Sequence, residues 1–218
     1  MDRQASDVTI PPLGLGGVFA RPDPGANVVV FAHGQRQRAV QPPQPLRLEA
    51  LRRAGLGTLL FDLLLPEEAE DRRKVFDIPL LAHRLAQATE WLHSAHGAGG
   101  AVPVGYFGAS TGAGAALLAA AEHPAAVRAV VSRGGRPDLA GVEALGRVRA
   151  PTLLIVGSLD PEVLALNREA AAQLGAEAEV RVVQGASHLF EEAGTLEAVV
   201  VHARDWFVPR IGRERGQP

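Results

Sequence analysis

Short apolar runs rich in Val, Ile and Leu alternate along the chain with longer Ala- and Leu-rich segments that have helical spacing. This alternation is typical of βαβ units, and it predicts an α/β fold with a mostly parallel central sheet and helices on both faces. Strands buried on both faces are expected at 28–32, 57–62, 102–107, 129–132, 152–156 and 180–183. Helices are expected at 46–53, 78–96, 111–122, 161–174 and 195–207.

Two weaker runs, 8–10 and 15–20, precede the first strong strand and predict an opening hairpin at a sheet edge. Right-handed crossovers bring the carboxyl ends of parallel strands to one edge of the sheet, so we expect the functional residues there. With no repeat and no long linker, we expect residues 1–218 to form a single domain, with 211–218 as a frayed polar tail.

The composition and charge of the chain exclude several classes of protein function. The formal net charge of −2 gives no basic surplus for nucleic acid, and no apolar run approaches the roughly 18 residues of a membrane span. The polar N-terminus does not resemble a signal peptide, so we expect a cytoplasmic protein with neither a nucleic-acid nor a membrane partner. The chain has no cysteine, which excludes disulfides, thiolate metal sites and cysteine nucleophiles.

The sequence GASTG, residues 108–112, lies between a predicted strand and a predicted helix. This G-x-S-x-G pattern is that of a nucleophile elbow, in which Ser110 takes a strained conformation and the glycines at 108 and 112 avoid clashes. The start of the following helix would point the N–H of Thr111 toward a developing oxyanion. The competing interpretation is a glycine-rich turn in which the serine only caps the helix.

A serine nucleophile needs a base and an acid, in the chain order Ser, Asp, His. Of the histidines downstream, His123 ends the helix begun at the elbow and His202 lies inside the last helix, whereas His188 follows the last strand. We therefore predict His188 as the base. Asp160, just past the next-to-last strand, is the predicted acid, although before Pro161 it also has the pattern of a helix N-cap, and Glu162 is the reserve candidate.

With these motifs the chain resembles the α/β-hydrolases, and within them the small, lidless branch related to dienelactone hydrolase. The resemblance runs over residues 28–207, through "FAHG", "GYFGASTGAG", "LLIVGSLD" and "GASHLF". It implies Ser110 as nucleophile, Asp160 as acid and His188 as base, with the N–H groups of Thr111 and Gln35 as the oxyanion hole. Dienelactone hydrolase itself uses a cysteine nucleophile, so its lactone activity does not carry over. The bulky, proline-rich "HGQRQRAVQPPQP" also departs from the small residues that relatives have after "HG".

Several arginines lie near the predicted functional edge of the sheet. Arg36, Arg133 and Arg136, with Arg38, are candidates for binding an anionic substrate group, although solvated loop arginines are the ordinary interpretation. His33 is interpreted as a structural hydrogen-bonding residue and Asp62 as a turn or cap. No residue spacing indicates a zinc site or a dinucleotide site, so no metal and no cofactor is expected.

The predicted function is that of a serine hydrolase acting on small carboxylic esters through an acyl-enzyme. The alternatives are a non-catalytic binding or regulatory module with the same fold, or thioester or amide cleavage. Only residues 133–150 separate the two strands between which relatives insert a lid, so we expect no cap domain and a shallow site for short acyl groups. The predicted partner is a small ester, and the oligomeric state is left open.

Overall fold

The computed structural model describes residues 5–23, 25–33, 44–96 and 102–211. Its centre is an eight-stranded sheet with the order β1-β2-β4-β3-β5-β6-β7-β8. The strands are β1 (Ser6–Ile10), β2 (Leu15–Ala20), β3 (Val28–His33), β4 (Gly57–Asp62), β5 (Val104–Ala109), β6 (Val127–Arg133), β7 (Thr152–Gly157) and β8 (Ala178–Val183). β1 pairs antiparallel with β2, and β2 with β4, while the remaining pairs are parallel. The predicted α/β architecture and the opening edge hairpin are confirmed.

Helices connect the strands and cover both faces of the sheet. They are α1 (Gln44–Arg53), α2 (Arg72–Val75), α3 (Ile78–His96), α4 (Thr111–Glu122), α5 (Val142–Arg147), α6 (Pro161–Gln173) and α7 (Thr195–Ile211), with a 3₁₀ turn at Pro137–Ala140. One buried cluster joins the sheet to α3, α4 and α5, and a second joins the opposite face to α1 and α7. Burial of both faces explains why most strands are continuous apolar runs.

No cap domain covers the described part of the chain. Between β6 and β7 lie the 3₁₀ turn and the six residues of α5. Both pack on α4 and leave the carboxyl edge of the sheet uncovered at the end of β5, where Ser110 is exposed. Within the described ranges, no helix is long and apolar enough to cross a membrane.

Besides shifts of one or two residues at other ends and the short helices α2 and α5, which are not among the predicted helices, three elements differ from the prediction for physical reasons. β5 begins at Val104 instead of 102, because Pro103 has no N–H to donate to the ladder, and it continues through Gly108 and Ala109 to the elbow. β8 is half-exposed along most of its length, not buried on both faces, because it is an edge strand.

The third difference is α7, which continues past Pro209 to Ile211, four residues beyond the predicted end. Tertiary contacts hold this last turn. Ile211 is buried, and its carbonyl accepts a hydrogen bond of 2.6 Å from Asn27 Nδ2. The side chains of Ile211 and Phe207 also pack against Gly105, which has no side chain in the way. The frayed polar tail is predicted at 211–218, but Ile211 belongs to the helix, and 212–218 lie outside the described residues.

Candidate active site

Ser110 lies on the turn between β5 and α4 with φ 52° and ψ −126°, a conformation that is rare for a residue with a side chain. Its flanking glycines are sterically required. A Cβ on Gly108 would lie 2.5 Å from Ala113 Cα, and one on Gly112 would lie 2.3 Å from the carbonyl oxygen of Ala32. Ser110 is exposed and occupies the N-cap position of α4, but its side chain makes no capping hydrogen bond. This geometry favours the elbow over the simple cap.

Asp160 and His188 are joined by a hydrogen bond of 2.7 Å between Oδ2 of the carboxylate and Nδ1 of the imidazole. Because a carboxylate oxygen accepts, Nδ1 is the nitrogen that donates in this bond, and in the neutral tautomer that it selects the lone pair is on Nε2. The other oxygen, Oδ1, accepts from the N–H of Val163 at 3.4 Å and caps α6. One carboxylate oxygen thus bonds the imidazole while the other caps the helix, so the cap does not compete with the predicted acid role, which stays a prediction. Glu162 is exposed in the first turn of α6.

The loops that carry Asp160 and His188 are bonded to each other. The N–H of Leu159 donates to the carbonyl of Ala186 at 3.0 Å, and the N–H of Gly185 donates to Ser158 Oγ at 2.8 Å. Gly157 permits this approach, because a Cβ there would lie 2.2 Å from the carbonyl oxygen of Ala186. Asp160 and His188 are thus fixed relative to each other by backbone contacts as well as by their own hydrogen bond.

The turn after β6 touches both the elbow and the loop at 184–194 that carries His188, here called the histidine loop. The N–H of Arg136 donates to the carbonyl of Ser110 at 3.0 Å, while a Cβ on Gly134 would lie 3.1 Å from the carbonyl oxygen of His188. Among the described residues, no hydrogen bond joins the Ser110 hydroxyl to the imidazole. Such bonds are often long in ligand-free enzymes and shorten when substrate binds.

Of the predicted oxyanion donors, Thr111 is the first residue of α4 and its side chain is buried. A first-turn N–H has no acceptor within its own helix, so this donor is available to a ligand. Gln35, together with the substrate-binding candidate Arg36 and the rest of the unusual loop at 34–43, lies outside the described residues. The predicted second oxyanion donor therefore stays a prediction.

The interpretation of Arg133 as a solvated loop residue is wrong. Arg133 is the last residue of β6 and is 9% exposed, because its guanidinium packs between β6 and the histidine loop. Arg136 is more accessible and forms two hydrogen bonds with the carboxylate of Asp138, at 2.8 and 2.6 Å. These bonds raise the pKa of Arg136. A substrate contact by either arginine stays a prediction.

Neither His123 nor His202 contacts the Asp160–His188 pair. His123 is exposed at the C-cap of α4. His202 lies in α7 with Nδ1 3.3 Å from Arg181 Nη1, and burial, with a smaller contribution from the Arg181 charge, lowers its pKa. Within the described ranges, no three His, Asp or Glu side chains converge as metal ligands would.

Two residues of the histidine loop were not identified from the sequence. Glu192 accepts a hydrogen bond of 3.0 Å from the N–H of Ser187, which lowers the pKa of its carboxyl. Phe190 is buried at φ 57°, a left-handed conformation unusual for an aromatic residue. No local sequence pattern marks either feature, because the Glu192 contact depends on how the loop closes on itself and the Phe190 contact on how it packs against Arg133 of β6.

This sheet order, the strained serine after β5 and the Asp–His pair after β7 and β8 define an α/β-hydrolase. A dienelactone hydrolase from Anabaena variabilis shares 47% identity with the chain at a TM-score of 0.87, covering 95% of this chain and 98% of that one. The chain therefore belongs to the dienelactone hydrolase family. Est1E from Butyrivibrio proteoclasticus, at 14% identity and a TM-score of 0.78 over 95% of this chain and 99% of that one, shares the fold.

A curated relative in Mycobacterium tuberculosis (strain ATCC 25618 / H37Rv), "Putative phosphoribosyl transferase Rv0571c", is 52% identical over 200 residues. That match covers 92% of this chain but 45% of the relative. The chain thus spans about half the length of the curated relatives it matches, and their name describes a much longer protein. No family model matches the sequence.

Proposed function

We propose that the protein is a serine hydrolase that cleaves small carboxylic esters through an acyl-enzyme intermediate. The observation that carries this proposal is the 2.7 Å hydrogen bond between Asp160 and His188. It supports an imidazole whose Nε2 is a ready proton acceptor, as the base of a serine hydrolase must be. Family membership and the strained Ser110 are consistent with this chemistry.

In the proposed reaction, Ser110 Oγ attacks the ester carbonyl carbon as His188 Nε2 takes the hydroxyl proton. The carbonyl oxygen becomes an oxyanion that accepts hydrogen bonds from the N–H groups of Thr111 and Gln35. The imidazolium, held by Asp160, then gives its proton to the departing alcohol. Water loses a proton to Nε2 and attacks the acyl-serine, releasing the carboxylic acid and restoring the hydroxyl.

The surroundings of the pair favour a small ester. His188 is exposed over 43% of its side chain, so the base faces solvent. Leu159 and Leu189, the neighbours of Asp160 and His188, are 64% and 52% exposed and offer apolar contact only at the rim. With no cap in the described chain to enclose a ligand, few walls are available to bury a long acyl group.

A fluorophosphonate probe tests the proposal, because labelling requires an activated serine. We expect labelling and hydrolysis of p-nitrophenyl acetate by the wild type, and a loss of about 10³-fold or more in both for Ser110→Ala and for His188→Ala. The double variant should be little worse than either single one, since the residues act as a unit. Ser94→Ala, at an exposed serine of α3, is the matched control and should behave as wild type.

The remaining outcomes separate the alternatives. An unlabelled, inactive wild type would favour a non-catalytic binding module, and labelling with cleavage of thioesters or amides alone would change the substrate class. Asp160→Asn should lower the rate by several orders of magnitude, because Nδ1 would no longer be held as donor. An unchanged rate in that variant would move the acid role to Glu162.

A further inference from the structure

The histidine loop contains a strained, buried residue close to the base. Phe190 lies two positions after His188 at φ 57° and is 2% exposed. A bulky side chain in the left-handed region is unfavourable unless surrounding contacts hold it there. Its N–H donates to the carbonyl of Ser187 at 3.3 Å, so the loop closes as a tight turn with His188 inside it. The conformation of this turn determines where the imidazole lies.

Arg133 supplies the contacts that hold this turn from the side of the sheet. Its Nη1 donates to the carbonyl of Leu189 at 3.3 Å, and its guanidinium carbon lies 5.5 Å from the centroid of the Phe190 ring. Its own backbone is fixed in the sheet, paired with Ala109 of β5, the residue before the nucleophile. One side chain thus links the strand beside the elbow to both residues that follow the base.

We propose that Arg133 is a positioning residue, which holds Leu189 and Phe190 and thereby aims His188 at Ser110; this inference rests on the proposed hydrolase function. The guanidinium suits this task because it combines a planar face for the ring with N–H groups in the same plane for the carbonyl. The opposite end of the loop is fixed separately, by the hydrogen bond from the Ser187 N–H to Glu192. Loss of Arg133 would therefore release the middle of the loop.

The test compares Arg133→Met, which keeps the length of the side chain, with Arg133→Lys, which keeps the charge. A misplaced base slows the chemical step more than it weakens substrate binding. We expect Arg133→Met to lower kcat ten- to hundred-fold with KM within about threefold, and Arg133→Lys to recover part of the loss. The matched control is Arg84→Met, since Arg84 is equally buried (6% exposed) but pairs with Glu68 instead of the histidine loop.

A second readout does not depend on turnover. The downfield proton resonance of His188 Nδ1–H, assigned with His188→Gln, reports its hydrogen bond to Asp160. It should broaden or disappear in Arg133→Met, return in Arg133→Lys and persist in Arg84→Met. If the wild type hydrolyses no ester, the proposed function fails, while this resonance still tests the positioning role. If Arg133→Met does not fold, the test uses Arg133→Lys instead. Its resonance and its kcat are both expected between those of wild type and inactive enzyme.

Three results would overturn the proposal. One is an unchanged kcat and resonance in Arg133→Met, and another is an equal loss of kcat in Arg84→Met, which would indicate a general effect of removing a buried arginine. The third is a raised KM for carboxylate-bearing esters alone with an unchanged resonance, which would assign Arg133 to substrate binding.

Discussion

At the scale of single residues, Gly112 makes the strained serine possible, because it lies against the backbone of β3. We expect Gly112→Ala to destabilise the protein by about 1–3 kcal/mol and to abolish most hydrolase activity. The reason is that its Cβ would lie 2.3 Å from the carbonyl oxygen of Ala32, which forces the elbow away from β3. Urea unfolding and kcat/KM for p-nitrophenyl acetate measure the two effects.

Gly146 provides the control, since a Cβ there meets nothing within 4 Å and the residue is part of α5. Gly146→Ala should keep full activity and gain up to about 1 kcal/mol, because alanine is the better helix former. Wild-type activity in Gly112→Ala would contradict the close approach of elbow and β3 on which the site is built.

Arg136, paired with Asp138, is the predicted anion-binding residue at which a preference for anionic substrates can be tested. The two hydrogen bonds to Asp138 occupy the guanidinium, and its charge is balanced locally. We expect Arg136→Ala to lower kcat/KM for carboxylate-bearing esters severalfold, and Asp138→Asn to raise it, because the latter leaves the positive charge uncompensated. Neutral esters of equal size serve as the internal control. The same ratio of anionic to neutral rates in all three proteins would remove Arg136 from substrate recognition.

At the scale of elements, the sequence predicts what local pattern and motif order determine. α4 has the predicted bounds because a glycine elbow starts it and an alanine-rich run continues it to the cap at His123. Ser110, Asp160 and His188 could be located from the sequence because each comes directly after a strand or its following turn. Functional residues of parallel sheets lie at these carboxyl ends. Local signals suffice for these features.

Other elements depend on contacts distant in sequence. The last turn of α7 persists beyond Pro209 because Asn27 and Gly105 receive it, and neither residue is a local neighbour. Arg133 is buried because the histidine loop folds back over β6. The contact is distant in sequence, so the sequence around Arg133 does not distinguish it from an exposed loop arginine. Tertiary packing explains both differences.

At the scale of the whole molecule, the partly buried histidines His96 and His202 couple stability to pH. The ring of His96 lies 4.6 Å from that of Phe19, and burial, with a smaller effect of the Arg21 charge, lowers its pKa. His202 is shifted in the same direction. Since the unfolded chain binds these protons near the ordinary histidine pKa of about 6.5 and the folded chain binds them only at lower pH, stability falls as the pH drops below that value.

We therefore expect the urea midpoint to decrease between pH 7.5 and pH 5.5, and to decrease less in His96→Phe, which keeps the ring contact without the titratable nitrogen. The difference between the two proteins isolates His96 from carboxyl groups that titrate in the same range. An identical pH dependence in both would show that burial of His96 does not contribute.

The absence of a cap in the described chain also determines how activity should depend on acyl length. In a fully lined pocket, each methylene would contribute about 0.8 kcal/mol, or about fourfold in kcat/KM. Among the described residues, the exposed apolar side chains next to Asp160 and His188 in the chain are Leu159 and Leu189, and such an exposed rim can contact only the first carbons of an acyl group. We expect kcat/KM for p-nitrophenyl esters to rise at most severalfold from acetate to butyrate, and then to level off or fall through octanoate and palmitate.

Two variants connect this profile to the rim. Leu159→Ser and Leu189→Ser should reduce the advantage of butyrate over acetate, while Val142→Ser, at a residue 67% exposed on α5, should leave it unchanged. Fluorophosphonate labelling of each variant confirms that the nucleophile is intact and restricts any change to acyl recognition. A kcat/KM that climbs steadily to palmitate would require a long apolar channel, and would overturn the shallow site that the uncovered sheet edge implies.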